Sequence, residues 1–439
     1  MQDHLKGFRE FYPEEMVNRN YVLNSLEKTI SNYGFREIGT PSIESTQLYI
    51  DKSGPEIVDH LYSFADKGGR EITLTPELTP TVARMVAMRG KSLPKPIKWF
   101  STRPFWRYEQ VQQGRFREFY QTNVDIFGSH SPQSDAEIIT CAAHMLSSLG
   151  LKKDDFTFRI SHRTLLSDIL KSFSPKIDIN AAIRVIDKKD KITLEVYEQS
   201  LINSKFPQKS FDELESILSL TNLSEISESI NRNDSQIAIQ NLDDILDIVS
   251  STFAEEYCSI SLNTARGLDY YTGFIFECFD SSGEIKRSIF GGGRYDNLIH
   301  DLGGPQIPAV GFAFGDATLE KLLIRTGLWP QLKLSTDYYI LQIGDTQKIV
   351  NELAHKLRIR NNIVETDISK RNLTSQLSYS NSINAKTVII VGERDLQKNE
   401  ITLKKMSTGE EVKVSLDDFP GGHDHPSYED FYSASDIDS

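Results

Sequence analysis

The chain has 439 residues, of which 38% are hydrophobic and 10% aromatic, and this describes an ordinary globular protein of about three domains. Its formal net charge of −13 excludes a general nucleic-acid coat, so any contact with nucleic acid must use local basic patches. Three widely spaced cysteines offer no disulfide framework and suit a reducing cytoplasm, and no apolar run approaches the length of a membrane span.

In chain order, the first predicted element is a helix over residues 12–34. Pro13 suits the first helical position and Gly34 suits a left-handed helix end. The segment FREIGTPSIE that follows predicts a short strand interrupted at Pro41. Since proline cannot donate to a strand ladder, this segment is expected at a sheet edge or an interface.

A second short strand, Ile72–Leu74, leads into the sequence TPELTPT, and a helix is predicted to begin near Thr79–Pro80. Threonines at such a junction are commonly helix caps. Capping explains Glu77 less well, and its carboxylate is suited to receive an ammonium group.

Residues 99–127 predict two strands joined by a polar, basic loop that contains Arg115 and Arg117. Alternation places Phe105, Arg107 and Glu109 on one face of the first strand. It places four side chains on one face of the second strand: Phe119, Gln121, Asn123 and Asp125. A solvated hairpin would account for one such arginine-rich loop. Aromatic, amide and carboxylate side chains along one strand face instead favour a pocket wall, and the loop arginines are suited to hold phosphate oxygens.

The next elements are a helix over residues 134–150 and a strand over 156–160. Residues 162–255 then become helical in period and poor in glycine and aromatic residues, which predicts an inserted helical domain without a catalytic constellation of its own. Strand signals return over Ile260–Phe279. Three consecutive glycines, Gly291, Gly292 and Gly293, allow very close backbone approach after a strand.

The segment AVGFAFGDATLEKLL predicts a strand that enters a helix, a junction able to hold a phosphate at the helix N-terminus. From Asp337 onward, strands alternate with helices and an additional hairpin follows, which predicts a separate α/β domain with a largely parallel sheet. The first helix of this domain and the next loops carry a set of basic residues: Lys348, His355, Lys356, Arg358, Arg360, Lys370 and Arg371. They predict either an RNA-facing surface or a solvated one.

Several long signatures together resemble one family. FWRYEQVQQGRFREFYQTNVDIFG resembles motif 2 of the class II aminoacyl-tRNA synthetases, and FREIGTPSIE resembles motif 1, their dimer-forming element. ARGLDYYTGFIFE and GGGRYDNLIHDLGG resemble the two histidine-specific signatures of the histidyl-tRNA synthetases, and TPELTPTVAR resembles their amino-acid-binding loop. The last α/β domain is similar to their anticodon-binding domain.

The resemblance implies an α+β fold with an antiparallel class II catalytic sheet, a helical insertion and a C-terminal α/β anticodon-binding domain. The implied segments are 1–161 and 256–330 for a split catalytic domain, 162–255 for the insertion and 336–419 for the anticodon-binding domain. Residues 420–439 are acidic and poor in aliphatic residues, and this composition predicts a disordered tail. The resemblance also implies ATP and Mg²⁺, L-histidine and tRNA(His) as substrates and partners, and a homodimer. The cysteine usage and the apolar run lengths described above predict a cytoplasmic protein without a membrane segment.

The resemblance assigns roles residue by residue. Arg107 and Arg266 are implied to be catalytic at the α-phosphate, and Arg266 also at the histidine carboxylate. ATP is implied to be bound by Arg107, Glu109 at the adenine amine, Arg115 at the outer phosphates and Phe119 on the ring. Histidine is implied to be bound by Glu77, Thr79, Gln121, Asp125, Arg266, Tyr270, Tyr271, Gly291, Gly292 and Gly293.

One position departs from the family pattern. Motif 3 usually ends in Gly-x-Glu-Arg, whose arginine grips the ATP γ-phosphate, but this chain has Gly315-Asp316-Ala317-Thr318 there. Arg325 lies about two helical turns farther on, too far to replace that arginine directly. The alternative reading is a non-catalytic, histidine-sensing paralogue that resembles the regulatory subunit of ATP phosphoribosyltransferase.

Overall fold

The computed structural model describes residues 3–53, 55–90, 92–111, 114–189, 192–230, 233–266 and 270–419. The chain divides into two compact units, one formed by Met1–Glu10 with Val22–Trp329 and the other by Phe11–Tyr21 with Pro330–Ser439. Among the described residues, no helix is both long enough and apolar enough to cross a membrane. The predicted disordered tail, 420–439, lies outside the described residues.

The secondary structure of these ranges mixes helices and strands throughout. The strands are β1 (Arg36–Glu37), β2 (Ile43–Ser45), β3 (Ser63–Ala65), β4 (Glu71–Leu74), β5 (Ile97–Trp106), β6 (Glu118–Phe127), β7 (Phe156–His162), β8 (Cys258–Ile260), β9 (Phe274–Asp280), β10 (Phe290–Arg294), β11 (Ala309–Gly315), β12 (Thr336–Ile343), β13 (Val364–Thr366), β14 (Ala385–Gly392), β15 (Glu400–Lys405) and β16 (Glu411–Ser415). The helices are α1 (Pro13–Asn32), α2 (Thr46–Ser53), α3 (Thr79–Arg89), α4 (Pro132–Ser148), α5 (Arg163–Phe173), α6 (Ile179–Ile186), α7 (Leu194–Asn203), α8 (Phe211–Leu218), α9 (Leu223–Ser229), α10 (Asn233–Ser250), α11 (Leu298–Asp301), α12 (Asp316–Arg325), α13 (Gln347–Arg358), α14 (Leu373–Ser382) and α15 (Glu393–Leu396).

The main sheet of the first unit has, within the described residues, eight strands in the order β1-β5-β6-β11-β10-β9-β7-β8. Its six central strands are antiparallel, while β1 and β8 add at the two edges in parallel. The predicted α+β class with an antiparallel sheet is therefore confirmed. The helices α5–α10 lie in sequence between β7 and β8, and the exact domain boundaries drawn from the sequence stay predictions.

Strand register brings distant parts of the chain to one face of this sheet. Gly311 of β11 lies opposite Asp125 of β6 and opposite Gly293 of β10. Gly291 of β10 lies opposite Glu277 of β9. Because side chains alternate with a period of two, these positions share one face, and Gly292 points to the other.

Two expectations from the strand pattern need correction. β5 ends at Trp106, so Arg107 and Glu109 lie in the connection to β6 rather than on a strand face. The Arg107 amide still donates to Arg117 O of the β6 side (2.9 Å), while the amides of Trp106 and Tyr108 donate to other segments, to Thr75 O (3.0 Å) and His60 O (2.9 Å). The glycine triplet does not follow a strand but lies inside β10.

The second unit has, in its described part, a five-stranded sheet in the order β13-β12-β14-β15-β16. The strands β13, β12 and β14 are parallel, and the hairpin β15–β16 continues the sheet in the antiparallel sense. This matches the predicted α/β pattern. A separate three-stranded sheet, β2-β4-β3, belongs to the first unit.

Candidate active site

A cavity of about 880 Å³ lies on the face of the main sheet that carries Asp125 and Gly291. It collects side chains that are far apart in sequence. Its walls come from the loop before α3, the β5–β6 connection, strands β6, β9, β10 and β11, and helix α6. They include Pro76, Glu77, Thr79, Arg107, Glu109, Arg115, Gln121, Asn123, Asp125, Arg184, Asp187, Lys188, Arg266, Tyr270, Tyr271, Glu277, Gly291, Tyr295, Gly311 and Ala313.

Asp125 is the buried acid of this cavity. Its Oδ1 accepts a hydrogen bond from the Tyr295 hydroxyl. Burial raises the pKa of Asp125 to about 7, although the bond from Tyr295 acts in the opposite direction. The carboxyl group thus sits close to its titration point at neutral pH, where a polar ligand that donates to it stabilises its charged form.

Gly311 is what makes room for this carboxyl group. A Cβ added to Gly311 would lie 2.1 Å from Asp125 Oδ1 and 2.6 Å from Val124 O, closer than real Cβ atoms approach. The register that sets Gly311 opposite Asp125 therefore requires a residue without a side chain.

We expect Gly311→Ala to displace the Asp125 carboxyl group and to raise the KM for the small-molecule ligand bound there roughly thirty-fold, from an overpacking cost of about 2 kcal/mol. Gly39→Ala is the matched control, because a Cβ at Gly39 meets nothing within 4 Å. Steady-state kinetics of both variants measure the effect. Equal KM values for the two variants would show that the Asp125 position is not critical.

Arg266 reaches the same cavity from the segment before β9. A Cβ on Gly291 would lie 2.0 Å from Arg266 Nη1, so this glycine leaves the space that the guanidinium fills. The guanidinium lies 3.8 Å from Glu277 Oε1 and 5.6 Å from the centre of the Tyr271 ring. Arg266 has a φ of +34°, a backbone conformation that is strained for a side-chain-bearing residue.

Three tyrosines form the aromatic part of the cavity. The rings of Tyr270 and Tyr271 lie 4.7 Å apart, and Tyr270 meets Tyr295 edge-on at 5.9 Å. Burial raises the pKa of Tyr271, and the charge of Asp125 adds to that rise. All three hydroxyls therefore stay protonated and able to donate at neutral pH.

The β5–β6 connection supplies the cations at another wall. Arg107 Nε donates to Pro76 O (2.9 Å), and its guanidinium lies 5.3 Å from the centre of the Phe119 ring. Arg115 forms an ion pair with Glu109. Burial raises the pKa of Glu109, but the bond from Arg115 and the charge of Arg107 outweigh it and lower the pKa below its usual value.

The structure brings most of the predicted site residues together, but not all of them. Gly292 and Gly293 are not among the cavity walls: Gly292 faces the opposite side of the sheet, and a Cβ on Gly293 would meet Phe274 O and Ile275. Phe119 is also outside the walls, because it packs on Phe105 beneath Arg107.

Sequence reasoning missed several wall residues: Arg184, Asp187, Lys188, Glu277, Tyr295 and Gly311. Tyr295 carried a usable signal, since it stands in GGGRYD two residues after the strand glycines. Arg184, Asp187 and Lys188 belong to α6 and the residues after it, in the helical segment expected to lack site residues. Only the tertiary fold brings α6 to the cavity.

The first turn of α12 does not suit a phosphate. Asp316 Oδ1 accepts from the Tyr120 amide (3.1 Å), and its Oδ2 pairs with Arg9 Nη2 (2.6 Å), so a carboxylate occupies the helix start. Thr318 is buried and donates to Ile289 O at 2.9 Å. Arg325 pairs with Asp280 at 3.1 Å. Arg325 therefore has a structural partner and does not stand in for an arginine at position 318.

Among the described residues, no cluster of three or more His, Cys, Asp or Glu side chains is arranged to hold a metal ion. Mg²⁺ in phosphate-processing sites commonly binds one or two protein carboxylates together with the substrate phosphates. Glu77 and Glu277 are carboxylates in the cavity wall. The donor set therefore fits a Mg²⁺ ion that arrives with a phosphate-bearing ligand, and not a closed protein cage.

In the second unit, two of the predicted basic residues have internal partners. Arg358 Nη2 donates to Val364 O at 2.8 Å, and Arg371 pairs with Asp367 at 2.9 Å while lying over the Tyr379 ring. Lys348, His355, Lys356 and Lys370 are exposed. Arg358 is exposed as well, so its bond to Val364 O does not remove it from this surface.

Comparison with known proteins identifies the family of this chain. The model of the histidyl-tRNA synthetase family matches residues 7–319, and a model of an anticodon binding domain matches residues 337–422. A histidine–tRNA ligase of Natronomonas pharaonis is 53% identical over 98% of this chain and all of that protein. That of Haloquadratum walsbyi is 54% identical with the same coverage. The histidyl-tRNA synthetase structure from Nostoc sp. PCC 7120 shares the fold, with a TM-score of 0.78 over 94% of this chain and 97% of that one at 22% identity. The chain belongs to the histidyl-tRNA synthetase family.

Proposed function

We propose that the protein is a histidine–tRNA ligase, which activates L-histidine with ATP to histidyl-adenylate and pyrophosphate and then transfers histidine to the 3′ end of tRNA(His). The observation that carries this proposal is one cavity that joins Arg107, Arg115 and Arg266 to the buried Asp125–Tyr295 pair. Guanidinium groups suit a nucleoside triphosphate, and the acid–tyrosine pair suits an imidazole.

For ATP, Arg107 is proposed to bind the α-phosphate, Glu109 the adenine amine and Arg115 the outer phosphates. The Arg115–Glu109 ion pair must then open when the nucleotide enters, which frees both groups for the ligand. Phe119 is proposed to stack on the adenine ring, while in the structure its ring supports the Arg107 guanidinium.

For histidine, Glu77, Thr79 and Gln121 are proposed to hold the ammonium group, and Asp125 and Tyr271 the two imidazole nitrogens, with Tyr270 beside them. Gln121 Nε2 donates to Asn123 Oδ1 at 2.7 Å, which orients its carbonyl oxygen as an acceptor. Tyr295 holds the Asp125 carboxyl group in place. A site that pairs both ring nitrogens rejects amino acids that leave its polar groups unpaired.

The reaction follows from these positions. A histidine carboxylate oxygen attacks the α-phosphorus in line, the bond to the β-phosphate oxygen breaks, and pyrophosphate leaves with that electron pair. The carboxylate nucleophile is already deprotonated at neutral pH, so no general base is required. Arg107 and Arg266 stabilise the negative charge on the α-phosphoryl oxygens. Mg²⁺ bound to the ATP phosphates would neutralise further charge. The terminal ribose hydroxyl of the tRNA then attacks the adenylate carbonyl and forms an ester, the bond from the carbonyl carbon to the phosphate oxygen breaks, and AMP and the hydroxyl proton are released.

Histidine-dependent exchange between ATP and labelled pyrophosphate, followed by charging of tRNA(His), tests the proposal. The alternative, a histidine-sensing paralogue of the ATP phosphoribosyltransferase regulatory subunit, would bind histidine without turning over ATP. The near full-length identity to histidine–tRNA ligases and the match to an anticodon binding domain disfavour that alternative.

We further propose a cytoplasmic homodimer, since tRNA charging serves protein synthesis and the segment around β1 and β2 resembles the dimer-forming motif. Ile43 of β2 and Phe64 of β3 are 46% and 45% exposed on the small sheet, which suits burial against a second copy. Ile43→Glu is expected to shift the protein from dimer to monomer in light scattering. A dimer that persists in this variant would place the contact elsewhere.

A further inference from the structure

Three cationic side chains from separate segments meet at the tip of the β5–β6 connection. They are Arg115 of that connection, Arg287 between β9 and β10, and Lys321 of α12. Arg287 Nη2 donates to the carbonyl of Gly114, the residue before Arg115. A Cβ placed on Gly114 would lie 3.0 Å from Arg287 Nη2 and 3.1 Å from Lys321 Nζ. Arg287 and Lys321 therefore lie against Gly114, and the next residue, Arg115, lines the cavity.

This cation cluster, Arg115, Arg287 and Lys321, is short of negative charge. Glu109 pairs with Arg115, but no carboxylate among the described residues pairs with Arg287 or Lys321. Burial and the charge of Arg115 lower the pKa of Arg287, and burial and the charge of Arg287 lower that of Lys321. Half-buried cations that repel one another are stabilised by an anion bound between them.

The fold holds the cluster in position from two sides. Thr318 Oγ1 donates to Ile289 O, so the segment that carries Arg287 is tied to the first turn of α12. Lys321 follows Thr318 by three residues and therefore lies on the same helix face, one turn along. The carboxylate of Asp316 makes the start of α12 itself unsuitable for a phosphate. The anion site is thus formed by side chains and not by the helix N-terminus.

We propose that Arg115, Arg287 and Lys321 together bind the two outer phosphates of ATP and the leaving pyrophosphate. The inference rests on the proposed histidine activation and extends it to Arg287 and Lys321. These two cations explain how the outer phosphates are bound in a chain that has a threonine at position 318, where motif 3 usually has an arginine. Pyrophosphate is favoured over the phosphates of a tRNA backbone because Arg115 lines the same cavity as Arg107.

The test uses the full chain with Arg287→Gln and Lys321→Gln in histidine-dependent ATP–pyrophosphate exchange without tRNA. Each substitution is expected to raise the KM for ATP and for pyrophosphate about ten- to a hundred-fold, the effect of losing a charge-assisted bond. The KM for histidine is expected to stay within about twofold, and Arg287→Lys to recover part of the loss. Lys286→Gln is the matched control, because Lys286 is an exposed cation next in the chain.

A histidyl-adenylate analogue with a sulfamoyl linkage distinguishes binding of the outer phosphates from structural support of the β5–β6 connection. It has no outer phosphates, so it is expected to bind both variants as tightly as the wild type. Weaker binding of the analogue would overturn the inference, since it would show that Arg287 and Lys321 only support the loop. Unchanged exchange with a raised KM for tRNA in aminoacylation would overturn it in favour of a tRNA contact. Absence of exchange in the wild-type protein would instead overturn the proposed function.

Discussion

Replacing Arg266 by alanine is expected to lower histidine-dependent ATP–pyrophosphate exchange about a thousand-fold while the protein stays folded. The guanidinium fills the space left by Gly291 and is the cation closest to the strand glycines of the cavity floor. Its loss removes charge stabilisation at the point where the carboxylate and the α-phosphate meet. Single-turnover adenylate formation measures the effect on the chemical step directly.

Two further variants separate this effect from a loss of stability. Arg266→Ala leaves Glu277 without the cation that lies 3.8 Å from it, so the double variant Arg266→Ala/Glu277→Gln is expected to recover stability but not exchange. Arg159→Ala removes another arginine of the same sheet, one that packs over Phe279 outside the cavity walls, and is expected to retain exchange. Near-normal exchange in Arg266→Ala would refute its assigned role.

Asp125→Asn is expected to raise the KM for histidine about a hundred-fold, or about 3 kcal/mol, with little change in the KM for ATP. Asparagine retains an oxygen that accepts from Tyr295 but loses the negative charge that pairs with an imidazole N–H. The larger truncation Asp125→Ala is expected to act in the same direction and more strongly. Equal losses for histidine and ATP would contradict the imidazole assignment.

The same substitution has a predicted pH signature in stability. The pKa of Asp125 rises from 3.8 to about 7 on folding, so the native state binds more protons than the unfolded state between these values. The contribution of Asp125 to stability therefore falls as pH rises from about 4 to about 7 and is then constant. At 1.36 kcal/mol per pH unit the full effect is about 4 kcal/mol.

Asp125→Asn removes this titration. Relative to the wild type, the variant is expected to gain free energy of unfolding as pH rises, with the difference largest at pH 8 and small at pH 4. Denaturant unfolding at both pH values, followed for the unit that contains β6, measures it. A difference independent of pH would show that Asp125 does not titrate in this range.

Local patterns in the sequence determined a large part of the molecule. The helix at Pro13–Asn32 could be predicted because proline favours the first helical position and glycine favours the left-handed conformation after a helix; Gly34 has a φ of +80°. The polar face of β6 could be predicted because alternate side chains of a strand lie on the same face, which groups Gln121, Asn123 and Asp125. The ordered signatures identified the family, and with it about half of the residues that line the cavity.

Contacts between distant segments decided the rest. Arg107 and Glu109 lie in the connection after β5, where Thr75 and His60 of earlier segments accept bonds from the amides of Trp106 and Tyr108. Gly311 lacks room for a side chain only because of its register with Asp125. Arg287 and Lys321 meet at Gly114 because Thr318 of α12 bonds to Ile289, in the segment that carries Arg287. Periodicity reports what a segment does alone, whereas a cavity is made by segments from different parts of the chain. The pairing of those segments depends on sheet order, which no local pattern encodes.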